Sequence, residues 1–336
     1  MMKPALENFL ALEGDLFQNC KDNYIIYKKV PEHPRALLTP KHGCDPILAS
    51  ELNGIVIDTE TKKIVCQSQN VIQQVDELPD DLESGVYCED GTVIRLYYDQ
   101  DRWNTATNKC PDARQSFWST VSFDELFWGI FNYDLALLDK AVTYIFILLH
   151  KENRIVVKQK ENKLIYVKGI NNETGDTSDI LEGFERLKVL TDLSGVPGKR
   201  GILFKKGNVE YRYDFKEYKN SQEIIGNFKD PKERYLQLLY DQDLAEQFKI
   251  AFPEHKLLFS VIDQQLEKLY EIVRQAYIDT HLENKYKIFH SHKLHKILKK
   301  VHYHYKNSKT DVTIPFVTGI LLTSPEEIPA LLDWHK

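Results

Sequence analysis

The chain contains no run of about 18 consecutive apolar residues, so nothing in it reads as a membrane-spanning helix. Its opening, MMKPALENFLALEGDLF, lacks the apolar stretch of a secretory leader. Five cysteines form no C-x-x-C pair, which leaves no zinc knuckle, and an odd number does not close a disulfide framework. They fall at 20, 44, 66, 88 and 110, but the residues flanking them do not recur, so the even spacing marks no repeat. Positive charge is scarce as well: 44 Lys and Arg against 50 Asp and Glu give a net charge of −6, which excludes a uniformly basic nucleic-acid coat. The expectation from these absences is an intracellular, cytoplasmic chain with reduced thiols and no membrane partner.

A chain of 336 residues, 42% of them apolar, is long enough for two or three domains with a substantial core. From Leu52 onward the pattern is strand-like: GIVID, KIVCQ, GTVIRLYY, TYIFILL, RIVVKQ, KLIYVKGI and GILFKK, separated by turn residues. Helical patterns interrupt it at Ser122–Leu138 and Ser178–Leu190, and Asn172–Asp179 and Gly195–Lys199 read as loops. After about Ile225 apolar residues recur at three and four, as in Leu257, Val261, Gln265 and in Leu266, Leu269, Val273. The expected architecture is α+β, with antiparallel sheets flanked by helices over 1–225 and a helical domain over 226–336.

The segment Val86–Trp118 carries Cys88-Glu89-Asp90-Gly91 between two strand patterns, followed by Trp103-x-x-x-Thr107. Asp90-Gly91 alone suits a hairpin turn. In context it resembles the nucleotide-attachment motif K-x-D-G of phage-type RNA ligases, of the covalent nucleotidyltransferase superfamily. The likeness continues through LNGIVIDTETKKIV (Leu52–Val65), TYIFILLHKENRIVV (Thr143–Val157), LIYVKGINNETG and RGILFKKGNVEYRYDFKEY (Arg200–Tyr218), over about 50–220. It implies a nucleotidyltransferase-like core.

The resemblance also implies that the chemical positions have changed. Cys88 stands where the family's lysine takes up AMP from ATP. Ile147 replaces the glutamate that contacts ribose, Arg200 replaces the glutamate on the metal side, and Arg212 and Asp214 replace two phosphate-holding lysines. Asn53 stands for the arginine of the upstream strand. Lysyl adenylylation needs a deprotonated amine and cations on the phosphates, and Asp214 sets negative charge where a cation is wanted. Glu89, Asp90, Gly91, Thr107, Asn153 and Arg154 are retained, Asn153-Arg154 reading equally as a turn with an exposed cation. Arg200 and Arg212 are expected to pair with Asp214 and Glu210 and to close the old pocket.

Between Lys285 and Lys309 there is no acidic residue. Lys293, Lys296, Lys299 and Lys300 flank the apolar stripe Leu294, Ile297, Leu298 and Val301, which makes a basic amphipathic helix, with Tyr303 and Tyr305 as stacking rings for RNA or else a solvated face. The nearby His290, His292, His295, His302 and His304 add positive charge below about pH 6.5, and no metal site is expected from them. Three readings result. The favoured one is an RNA-ligase-like pseudoenzyme that binds RNA or a protein partner without a cofactor. The second is an active RNA ligase using ATP and magnesium with a displaced lysine, Lys109 or Lys199. The third is a protein-interaction scaffold with no nucleic-acid role.

Overall fold

The computed structural model describes residues 3–30, 33–117, 120–178, 181–191, 196, 198–207, 209–226 and 230–334, the last two without their side chains. The chain is α+β and divides into two compact units, Met1–Asn220 and Ser221–Lys336.

The first unit holds three sheets. One has the order β1 (Ile25–Lys29), β2 (Arg35–Pro40), β3 (Ile55–Asp58), β4 (Ile64–Cys66). A sheet of β5 (Gln73–Val75), β14 (Val209–Asp214), β13 (Gly201–Lys206) and β6 (Val86–Cys88) includes one parallel pair, β5 with β14. The largest runs β11 (Thr177–Ser178), β10 (Lys163–Asn171), β9 (Val142–Leu149), β7 (Thr92–Asp99), β8 (Arg102–Thr107), with β12 (Glu185–Arg186) parallel on β10. The expected antiparallel pattern is thus mixed.

Layering follows from which strand faces are apolar. Leu6, Phe9, Leu16 and Cys20 of the N-terminal helices pack on Ile25, Leu38, Ile55 and Ile57 at one face of the first sheet. Its other face sends Leu37, Val56 and Cys66 onto Tyr97 and Ala106 of the largest sheet. The far face of that sheet carries Phe146 and Tyr166 against Phe123, Leu126 and Phe127, whose helix Phe123–Trp128 starts on a capping box of Ser122 and Glu125.

Several expectations change here. The two strands before Leu52 escape the pattern because β1 is an edge strand with only Ile25 fully buried. The long helix expected at Ser122–Leu138 stops at Trp128, followed by a single 3-10 turn at Leu135–Leu137. No helix forms across the described part of Ser178–Leu190, which contains β12. RIVVKQ is a loop, because its backbone N–H groups are used on a carboxylate rather than on a strand. In the loop at Gly195–Lys199, Val196, Gly198 and Lys199 belong to no helix or strand, and Gly195 and Pro197 lie outside the described residues.

In the second unit the helix Lys256–Tyr277 buries Phe259, Ile262, Leu266, Leu269 and Val273. Leu257 and Val261, expected in that stripe, are 83% and 51% exposed, so the buried face is displaced from them around the helix. The helix Leu294–Ser308 buries Leu294, Ile297, Leu298 and Val301 as a stripe. Among the described residues no helix is long and apolar enough to cross a membrane.

One cation anchors the N-terminal helix Pro4–Leu10. Lys3 Nζ donates to the carbonyls of Glu51 (3.1 Å) and Ser68 (2.6 Å), while Glu51 Oε2 accepts from Leu6 N at 2.8 Å. Burial, with the charge of Arg95 adding to it, pulls the Lys3 amine down to about 7. The unfolded chain therefore holds this proton up to the ordinary value of 10.5 and the folded chain releases it near 7. In that window the unfolded state binds more protons, so the lysine's contribution to stability rises with pH. We predict that the unfolding free energy of the parent minus that of a Lys3→Met variant, from urea titrations, grows between pH 7 and 10.5. A pH-independent difference would contradict the assignment.

Candidate functional site

The chain crosses from one sheet to another at Cys88–Gly91. β6 pairs with β13, whereas β7 pairs with β8 and β9, so Asp90-Gly91 is not the hairpin turn its sequence suits. Gly91 does not adopt a left-handed φ. It is required for proximity: a Cβ there would lie 2.6 Å from the side chains of Ile147 and Leu149 and 2.7 Å from the Leu148 carbonyl.

Asp90 is 1% exposed and fully engaged. Its Oδ2 accepts from the backbone N–H of Val156 (2.8 Å) and Val157 (2.7 Å), and its Oδ1 accepts from Tyr218 Oη at 2.6 Å. Burial, then the Asp90 charge, raises the Tyr218 phenol and keeps it a donor. The same loop buries Asn153, whose Nδ2 donates to Thr92 Oγ1 at 2.9 Å. Arg154 is only half-exposed and donates to the Val156 carbonyl, so the pair is not a free turn with a solvated cation.

Between the two sheets lies a cavity of about 700 Å³. Asn53, Cys88, Glu89, Gly91, Ile147, Arg200 and Arg212 all line it, so the structure brings these sequence-selected positions together. Ile147 belongs to an apolar cluster with Leu149 and Ile165, and gives that wall no ribose acceptor. Asp214, 1% exposed, lies behind: Arg200 grips it through Nε and one Nη (2.9 and 3.1 Å), and Arg212 Nε stands 2.9 Å from Oδ1. The expected ion pairs on Asp214 form. Glu210, however, is taken by Lys168 (3.2 Å) and Lys205 (3.4 Å), and the cavity is open rather than filled.

Among the described residues five cations line the space, Lys168, Arg186, Arg200, Lys205 and Arg212, against two carboxylates, Glu89 and Glu210. Sequence reading missed Lys168. A β-bulge between Tyr166 and Lys168 breaks the alternation of β10, so Tyr166, Val167 and Lys168 all reach the cavity. Lys199 is bonded to Glu89, and Lys109 is exposed. Each acidic side chain in or behind the cavity is thus ion-paired among the described residues, so a divalent cation finds no uncommitted carboxylate, and these residues do not fit a catalytic metal.

Burial pushes the Cys88 thiol up to about 12. The charges of Arg200 and Arg212 oppose this, and those of Asp214 and Asp90 reinforce it. Cys88 is therefore a neutral thiol in the cavity wall.

In the second unit Lys296 and Lys300 both converge on Glu327 (2.6 and 2.9 Å), a carboxylate lying beyond the acid-free segment. Tyr305 packs 5.8 Å from Tyr277. Of the six residues selected in this segment, Lys293 and Lys299 are exposed without an ion pair among the described residues, and Tyr303, 66% exposed, meets only the edge of His304. His302 shares a hydrogen bond with Tyr277 Oη (3.0 Å), and burial lowers both His302 and His295, so they charge at lower pH than expected.

No family model matches the chain. It is 26% identical over 196 residues to an Autographa californica nuclear polyhedrosis virus protein provisionally named a bifunctional polynucleotide kinase/RNA ligase, covering 50% of this chain and 28% of that protein. It is 24% identical over 264 residues to the immediate-early protein ICP-46 homolog of Invertebrate iridescent virus 3, covering 67% of this chain and 59% of that protein. The chain thus spans less than two thirds of either relative. Among solved structures it is similar to a provisionally named ATP-dependent DNA ligase from Aquifex aeolicus (TM-score 0.45, 15% identity, 74% of this chain and 79% of that one). It is also similar to an archaeal ATP-dependent RNA ligase (TM-score 0.49, 9% identity, 75% and 72%).

The state of Cys88 is checked by alkylation. At pH 8 iodoacetamide should label the half-buried Cys44 well before Cys88, which should react only as the protein unfolds. Labelling of native Cys88 at the rate of a peptide thiol would rule out the neutral, buried assignment.

Proposed function

We propose that the chain is an RNA-ligase-like protein that binds nucleotide phosphate, free or at an RNA end, without joining it. The observation that carries this reading is the cavity itself: five cations against two carboxylates in a chain of net charge −6, with a neutral thiol where the resemblance puts the nucleophilic lysine. The RNA ligase name of the viral relative supports the ligase-like part of the reading.

The chemistry available is binding. Arg200 spends Nε and one Nη on Asp214 and keeps its second Nη for a ligand. Arg212 is held by Asp214 and by Gln74 Oε1 at 3.2 Å, so both guanidiniums are fixed before a ligand arrives. Lys168 and Lys205 are the amines that line the cavity, both paired with Glu210 and both placed to contact phosphate. In the second unit, Lys293, Lys299 and the Tyr303 ring are the exposed groups offered to RNA.

Incubation with α-labelled ATP and magnesium should leave no label on the denatured protein, whereas equilibrium dialysis should detect bound ATP, weakened about tenfold or more by Arg212→Gln. Stable label on Lys168 would instead favour the live nucleotidyltransferase. For single-stranded RNA, log affinity should fall with log salt at about −0.7 per phosphate contacted. Lys293→Gln with Lys299→Gln should flatten that slope by up to about 1.4, and Lys296→Gln with Lys300→Gln should change it less because Glu327 already holds both. Absence of RNA binding at about 50 mM salt would remove this partner and favour the protein scaffold.

A further inference from the structure

We propose that His281 and His302 form an acid-sensitive latch in the second unit, holding the turn Ile278–Leu282 on the helix Leu294–Ser308 near neutral pH and releasing it on acidification. The latch involves neither the cavity nor any ligand there.

It sits where the long helix Lys256–Tyr277 ends. Instead of stopping, the backbone continues into a single π-helical turn, Ile278–Leu282, a rare form that sets His281 over the Tyr277 ring. The two ring centroids lie 4.8 Å apart with their planes 7° from parallel. From the helix Leu294–Ser308, His302 comes within 4.6 Å of the His281 ring, and Tyr305 within 5.8 Å of Tyr277. Thr280 Oγ1 spends its one proton on the Ala276 carbonyl (2.6 Å), so at 2.7 Å it accepts from His281 Nδ1. Tyr277 Oη and His302 Nδ1 are 3.0 Å apart, and burial keeps that phenol protonated.

What the cluster lacks is a partner for added charge. Burial is the first cause disfavouring the imidazolium on both rings; positive charge follows, from His302 and Lys306 on His281 and from Lys306 on His302. The acids nearby are committed elsewhere. Asp279 and Glu283 hold Lys285 (3.0 and 2.6 Å), Glu271 pairs with Arg274, and Glu327 takes Lys296 and Lys300. Helix Ile314–Leu322, packed on both of the other helices, carries no ionisable side chain.

Both rings are harder to protonate here than at the ordinary value of 6.5, which they regain when the turn lets go. Below that value the released state binds more protons, so the latch holds at higher pH and weakens as pH falls. Each histidine adds up to about tenfold per pH unit to the opening equilibrium, and the pair up to about a hundredfold. The helix itself stays docked, because its stripe of Leu294, Ile297, Leu298 and Val301 takes up no proton.

Hydrogen exchange of the full chain between about pH 7.5 and 5, corrected for the intrinsic pH dependence of exchange, tests the latch. The amides of Glu283 and Lys285 donate to the carbonyls of Ile278 (2.9 Å) and Asp279 (2.7 Å) and report the turn. They should lose protection below the ordinary histidine value, while Phe259–Val273 of the long helix keeps it. Lys306→Gln removes a repelling cation at an exposed position and should move the loss to lower pH. The neighbouring pair His290 and His295 answers to Lys299 instead, so that substitution leaves it unmoved. His281→Asn with His302→Gln should make the protection independent of pH over this range. Constant protection in the parent, or an equal loss along the whole long helix, would overturn the latch. Identical pH profiles of the parent and Lys306→Gln would overturn it too, whether or not the double variant folds.

Discussion

The first unit hangs on the Asp90 carboxylate. Two oxygens, 1% exposed, accept from two backbone amides of the 150–162 loop and from Tyr218, so three distant parts of the chain are tied where it passes between sheets. A buried anion is tolerable only with all its acceptor capacity used, and that need explains why Val156 and Val157 forgo a strand. Gly91 beside it lets β7 lie directly against β9. Together the two residues set the floor on which the cavity is built.

Above that floor the electrostatics are self-compensating. Asp214 is shared by Arg200 and Arg212, Glu210 by Lys168 and Lys205, and Glu89 is held by Lys199. These pairs neutralise the acids and leave the excess of positive charge pointing at the space between the sheets. The thiol of Cys88, uncharged in this setting, adds no charge of its own. An anion entering the cavity meets guanidiniums already oriented by Asp214.

Much of this was legible in the sequence, and the failures share a cause. The strands β3, β4, β7, β9, β10 and β13, the α+β class and the pairing of both arginines with Asp214 follow from apolar pattern and charge. The hairpin at Asp90-Gly91 did not materialise because a dipeptide reports local φ preference and carries no information on which sheet the next strand joins. Lys168 went unnoticed because a one-residue bulge reverses the side to which a strand's residues point. Glu327 lies outside the window in which Lys296 and Lys300 were read, so their charge was counted as free. Arg95 was the missed clue: a cation inside GTVIRLYY, a strand buried on both faces, had to be gathering carbonyls.

The close approach at Gly91 also has a thermodynamic consequence. Because Ile147 and Leu149 of the neighbouring β9 already touch that backbone, and Asp90 fixes its course, the start of β7 is held in place on the cavity wall. The cavity of about 700 Å³ stays open to water, so the apolar side chains that line it remain hydrated where a collapsed core would bury them. The protein is less stable for it. In exchange, a ligand finds its site preorganised and loses little affinity to reshaping its host, so occupancy should show itself more in resistance to unfolding than in any change of shape.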